Sequence, residues 1–185
     1  MFSNFNLNRL ALSISVSVIT VVGSLPMTSP VNAQQAGCAR RTAGTTPVSS
    51  VPANIRNFAQ GFAPSNVQLT RLADVETEDG QTIYELRGFQ PNGCSVEVDV
   101  ISRPGPLRLD EVETQVPSLA QVPQPIRNAI TSRVPGYTPT LIERSRRANG
   151  NTVFETEGRR NGQDIEVDAQ VLPNGNVTLE IEQST

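Results

Sequence analysis

The chain has 185 residues, a formal net charge of −3, no histidine and no tryptophan, and all 15 of its cations are arginine. Without imidazole there is no His-based triad, no His-ligated zinc and no histidine proton shuttle, and without lysine there is no Schiff-base chemistry. The mild acidity argues against nucleic acid, whose phosphates ask for a basic stripe.

Residues 1–33 carry Arg9, an apolar run from Leu10 to Val22, the helix breakers Gly23 and Pro26, and a closing Val31-Asn32-Ala33. Small residues at that spacing predict a signal peptide removed after Ala33, and hence a secreted or periplasmic protein. The run is too short, and too interrupted by serine, for the roughly 20 apolar residues of a transmembrane anchor. Lipidation at Cys38 is a further alternative, but the segment before it lacks a leucine-type residue and lies far from the apolar run. Loss of Arg9 leaves 14 arginines against 18 acids, a net charge of −4.

Residues 34–50 are small, polar and aperiodic, the composition of a flexible arm. Cys38 within it and Cys94 are the only cysteines, and in an exported chain an even pair predicts one disulfide. Two thiols alone do not make a metal site.

Val51, Ile55, Phe58, Ala59 and Phe62 recur at helical spacing, with Pro52 at the entry and Gly61 and Pro64 at the exit. Val122, Ile126, Ala129 and Ile130 repeat the stripe, between Pro123 and Pro135-Gly136. Alternating segments follow each helix, near 67–76, 82–89, 94–102 and 107–115, then 138–147, 151–158, 163–171 and 176–183. Asp79-Gly80, Asn92-Gly93, Pro104-Gly105, Asn149-Gly150, Asn161-Gly162 and Asn174-Gly175 punctuate them as turns.

The two runs match residue by residue. Thr82-Ile83-Tyr84-Glu85 with Gly88 answers Thr152-Val153-Phe154-Glu155 with Gly158, and Val96-Glu97-Val98-Asp99 answers Ile165-Glu166-Val167-Asp168. The expected fold class is therefore α+β: two tandem repeats, each one helix packed on its own four-stranded antiparallel sheet. The expected divisions are a signal peptide (1–33), an N-terminal arm (34–50), repeat 1 (51–115), a connector (116–121) and repeat 2 (122–185).

This order of a Pro-led helix, a Tyr-Glu strand, a Gly turn and a Glu-Val-Asp strand resembles the PepSY-like family. The tandem arrangement is similar in architecture to the beta-lactamase-inhibitor protein. The resemblance implies exported, non-catalytic α/β modules that present a sheet face for binding, with enzyme inhibition as one use of the tandem form. That inhibitor's binding face is rich in aromatic residues, whereas only 4% of this chain is aromatic.

Strand alternation puts Tyr84, Leu86, Val96 and Val98, and Phe154, Ile165, Val167 and Ala169, on the side that receives the helices. Cys94 shares that parity. The opposite side carries Glu85, Arg87, Glu97 and Asp99 from the first run and Glu155, Glu157, Glu166 and Asp168 from the second, expected as an acidic binding face open to water. Such a field favours a cationic partner, here an unidentified exported protein with a basic surface. The plainer alternative is a solvated sheet face.

Glu97-x-Asp99 and Glu166-x-Asp168 also suit a hard cation, but calcium takes six to eight oxygens, usually from a loop that this sequence lacks. No metal and no cofactor is assigned. A glycosidase-type acid and base needs an apolar cleft around one carboxyl, which a flat acidic sheet does not supply. The expected function is an exported, non-enzymatic protein-binding module of inhibitor or sequestering type. The alternatives are a structural or envelope-associated protein and, more distantly, a carboxylate-dependent hydrolase.

Overall fold

A computed structural model describes Cys38 and residues 46–78 and 80–183. The expected signal peptide and most of the expected arm lie outside the described residues. The elements run β1 (Thr46–Pro47), a 3-10 turn (Val48–Ser50), α1 (Ala53–Gln60), β2 (Leu69–Glu78), β3 (Gln81–Phe89), β4 (Ser95–Ser102) and β5 (Arg108–Gln115). A second 3-10 turn (Leu119–Gln121) then leads to α2 (Gln124–Arg133), β6 (Thr138–Arg147), β7 (Thr152–Arg160), β8 (Gln163–Val171) and β9 (Val177–Gln183).

Each helix starts where a proline holds the chain extended: Pro52 has φ −51° and ψ 138°, and Pro123 has φ −53° and ψ 137°. Ile55 and Ala59 of α1, and Ile126 and Ile130 of α2, are buried one turn apart. The strands stop at turns whose backbone demands a positive φ. Between β7 and β8, Asn161 (φ 52°) and Gly162 (φ 83°) make a two-residue turn of the kind that matches strand twist.

The expectation of two helix-plus-four-strand units, each with its own sheet, is wrong. The nine strands form one continuous antiparallel sheet in the order β1 to β9, and the two short helices are minor additions to it. The joint is the β5–β6 ladder, in which Glu111 faces Arg147, Glu113 faces Ser145 and Gln115 faces Glu143. Backbone bonds from Val116 to Ile142 (2.8 Å) and from Ala148 to Asp110 (2.8 Å) extend it at both ends. An exposed polar edge on β5 or β6 would leave a row of unpaired amides, and pairing the two strands satisfies them.

Part of the expected arm is structured. β1 pairs with β2, Thr46 opposite Leu72 and Pro47 opposite Arg71. The sequence of strand, 3-10 turn, helix and strand in β1–α1–β2 is the same as in β5–α2–β6. The predicted disulfide is present, joining Cys38 to buried Cys94 with their Cα atoms 4.9 Å apart. Closing a loop across a sequence separation of 56 residues stabilises the fold by roughly 4 kcal/mol on the chain-entropy view.

Both helices cover the same face of the sheet, over two apolar clusters. α1 packs on Leu86, Val96, Val98, Val100 and Val112, and α2 on Ile142, Phe154, Ile165, Val167 and Ala169. Each aliphatic side chain fully buried there contributes roughly 1.5–3 kcal/mol. Polar ties fix the helix ends: the Gln60 amide donates to Val67 O and accepts from Leu69 N, and Tyr137 Oη donates to Thr156 O at 2.7 Å. Among the described residues no helix is long and apolar enough to cross a membrane.

Candidate functional site

The helix-free face is the chemically unusual part of the molecule. Strand alternation brings all eight predicted binding residues to it, but in two groups. Glu85, Arg87, Glu97 and Asp99 lie on β3 and β4, Glu155, Glu157, Glu166 and Asp168 lie on β7 and β8, and β5 and β6 run between them.

The register sets carboxylates directly opposite one another. Glu85 faces Asp99, Glu97 faces Glu113, and Glu157 faces Glu166, which faces Glu182. An unbroken row crosses four strands, Glu143 to Glu155 to Asp168 to Glu180. Like charges at such spacing destabilise a sheet unless something screens or neutralises them.

Three devices do so here. Arg87 forms a buried ion pair with Glu97, its partner in the β3–β4 register. Arg147 lies between Glu111 (3.7 Å) and Glu155 (3.6 Å), while the Ser145 hydroxyl donates to Glu111. The third device is the proton. Burial, then the charges of Glu97, Glu76 and Asp74, pushes Glu85 up to about 7. Burial, then Glu143, Glu155, Glu97 and Glu111, pushes Glu113 up to about 9. Burial, then Glu155 and Glu166, lifts Asp168 to about 7. Asp99 rises well above the usual carboxylate range through burial and then Glu97, and Glu155 rises through burial and then Glu111. A side-chain hydrogen bond with Glu113 works against that rise in Glu155.

The face is not open to water throughout, contrary to the sequence-based expectation. β4 is buried on both sides from Ser95 to Val100, and Arg87, Glu97 and Asp99 are 7%, 6% and 8% exposed. The cause is side-chain length: on neighbouring strands, arginine and glutamate lie over one another instead of standing into solvent. Glu85, Glu155 and Asp168 are half-buried, and only Glu157 and Glu166 of the eight are exposed. Exposed Glu180 and Glu182 on β9 continue that accessible end.

Five residues central to the face are absent from the eight that the sequence singles out: Glu111, Glu113, Glu143, Ser145 and Arg147. Glu143, Ser145 and Arg147 lie on β6, whose facing depends on its pairing with β5. Its sequence, Thr138 to Arg147, has no clean apolar and polar sides, because Leu141 and Ile142 are both buried and Arg144 and Arg146 are both exposed. At the β5–β6 joint Ser145 is fully buried and its hydroxyl donates to Glu111, and one carboxylate oxygen from each of Glu111, Glu113 and Glu155 lies within 4.8 Å of the other two.

No protein-family model, curated protein or solved structure matches this chain.

Proposed function

We propose that the chain is an exported, non-catalytic protein-binding module of PepSY-like type, of the inhibitor or sequestering kind, whose acidic sheet face engages a basic surface on another exported protein. The observation that carries this reading is the row of opposed carboxylates Glu143, Glu155, Asp168 and Glu180, with Glu157, Glu166 and Glu182 alongside. A face needed only for solubility gains nothing from aligning like charges, which costs stability, whereas a cationic partner relieves the repulsion on docking. The contact surface is the β7–β9 end, where Glu157, Glu166, Glu180 and Glu182 are exposed. Glu97, paired with Arg87, and buried Asp99 lie outside that contact surface.

The Cys38–Cys94 disulfide supports an oxidising compartment. Against a hydrolase stands the position of the carboxylates. Two shallow depressions, one around Pro123, Ile126 and Phe154 and one around Gln90, Val116 and Arg144, have no carboxylate in their walls. A carboxylic acid–base pair needs such a wall to hold substrate.

The test is capture from the exported protein fraction with the full chain as bait, at about 0.05 M and about 1 M salt, where the screening length falls to about 3 Å. A partner retained at low salt, released at high salt and lost with the quadruple change of Glu157, Glu166, Glu180 and Glu182 to Gln is the expected result. Equal retention by that variant refutes the acidic docking surface.

A further inference from the structure

In the second half of the sheet β9 occupies the place that β5 occupies in the first. Val112 of β5 stands opposite Val98, and Ile181 of β9 stands opposite Val167, within the matched runs Val96 to Asp99 and Ile165 to Asp168. Glu180 and Glu182 therefore answer Glu111 and Glu113. The outer side of β5 is covered by β6, whereas among the described residues nothing pairs with the outer side of β9. That coverage decides burial: Val112 is 6% exposed and Ile181 is 42% exposed.

The β5–β6 joint also fixes where the backbone groups point. Val116 N donates to Ile142 O and Ala148 N donates to Asp110 O, one step beyond the ladder at each end. Hydrogen-bonded pairs alternate along antiparallel strands, so Val112 with Arg146 and Thr114 with Arg144 are the pairs between them. By the same count Ile181 and Gln183 turn their N–H and C=O groups away from β8. The β9 edge thus offers unpaired backbone groups, acids on the helix-free side and an exposed isoleucine on the other.

β6 shows what suits an edge of this kind. Its Arg147 faces Glu111 at 3.7 Å, and its Arg146 and Arg144 face Val112 and Thr114. Arginine answers an acid on one side, and on the other its stem covers apolar surface while its head stays in water. A second copy of the chain lacks this chemistry. Its β9 carries the same acids, and its β2, which follows α1 as β6 follows α2, carries Asp74, Glu76 and Glu78.

We propose that β9 is completed by an extended, arginine-bearing segment of the partner protein, added antiparallel as β6 is added to β5. This rests on the acidic docking surface at the β7–β9 end and gives its partner a form. Main-chain bonds supply affinity, and basic side chains at set positions select the segment.

The probe is a synthetic peptide of the β6 sequence, TPTLIERSRR (Thr138 to Arg147), added to the full chain. Two modified peptides keep its charge. One is methylated on the backbone nitrogens of Arg144 and Arg146, which face the neighbouring strand, and the other on those of Glu143 and Ser145, which face away. Fluorescence anisotropy should show one saturable site per chain for the parent peptide. Binding should weaken about tenfold or more with the first methylated peptide, which loses main-chain bonds, and persist with the second. Hydrogen exchange should slow at the Ile181 amide and not on β3. Ile181→Pro, which removes an outward N–H at an edge where proline is tolerated and leaves every charge in place, should lose the peptide. No saturable binding, equal binding by the two methylated peptides, or slowing confined to other strands overturns the proposal. So does the same slowing at Ile181 when the chain is concentrated without peptide, which would make the occupant a second copy. These results bear on the strand mode alone, whereas capture from the exported fraction by the quadruple Gln variant bears on the acidic docking surface.

Discussion

Glu113 of β5 faces Ser145 of β6, and that pairing turns two runs of strands into a single sheet. Ser145 is fully buried, and its hydroxyl donates to Glu111 on the strand that carries Glu113. Ser145→Val removes that donor from a buried acceptor and adds bulk between close-packed carboxylates. The expected loss is about 1–3 kcal/mol. Because the ladder couples the halves, urea unfolding followed by circular dichroism should give one transition in both proteins. Two resolved transitions in the unaltered chain would contradict a continuous sheet that unfolds as a unit.

Acid should stabilise this protein. Glu85 and Asp168 have folded-state values of about 7 against ordinary values of 4.5 and 3.8, and Glu113 lies higher still. Below about pH 3 both folded and unfolded chains are protonated at these groups. As pH rises from there to about 7 the unfolded chain gives up protons that the folded chain keeps, so stability falls across that window. The thermal midpoint should be higher at pH 5 than at pH 8. A midpoint that climbs steadily between those values is the contrary outcome.

Gly88 and Gly158 occupy matching places, opposite Val96 and Ile165 in their ladders. A Cβ at Gly88 would come within 2.4 Å of Gln68 O, and at Gly158 within 2.3 Å of Thr138 O. Both neighbours are backbone, so neither can turn aside. Gly88→Ala and Gly158→Ala should each destabilise by about 1–3 kcal/mol or more by overpacking, read from shifts in the urea midpoint. A neutral result at both sites would mean that the strands preceding them are not held as close as described.

The Arg87–Glu97 pair is shielded from water, with side chains 8% and 7% exposed. Removing one partner strands the other, so Arg87→Met alone should cost about 3–5 kcal/mol, whereas Arg87→Met with Glu97→Leu should recover most of the loss. A double-mutant cycle measures the difference. Additive losses would show that the ion pair is uncoupled.

How far the residues alone disclose this architecture differs by feature. Alternation and Asn-Gly turns mark the strands between Gln81 and Phe89 and between Gln163 and Val171 because both signals are local. Which strand lies beside which is not local, and the Val116–Gln121 segment reads as a separator although Val116 is already bonded to Ile142. A clue existed: Val48–Ser50 and Leu119–Gln121 are equivalent 3-10 turns, each leading to a Val-Pro helix entry. The strand before the first turn is only two residues long, too short to show that the strand before the second would pair in the same way. Alternation within each strand is local and sets the acids on one face, whereas their burial depends on how Arg87, Glu97 and Glu113 lie across one another on different strands.

The ninth strand has no neighbour beyond it among the described residues, and Glu180, Ile181, Glu182 and Gln183 are exposed there. An unguarded terminal strand invites a stranger's backbone to add on, the route by which sheets stack into fibres. Glu180 and Glu182, at every other position of that rim, set like charges against any second copy that approaches edge to edge.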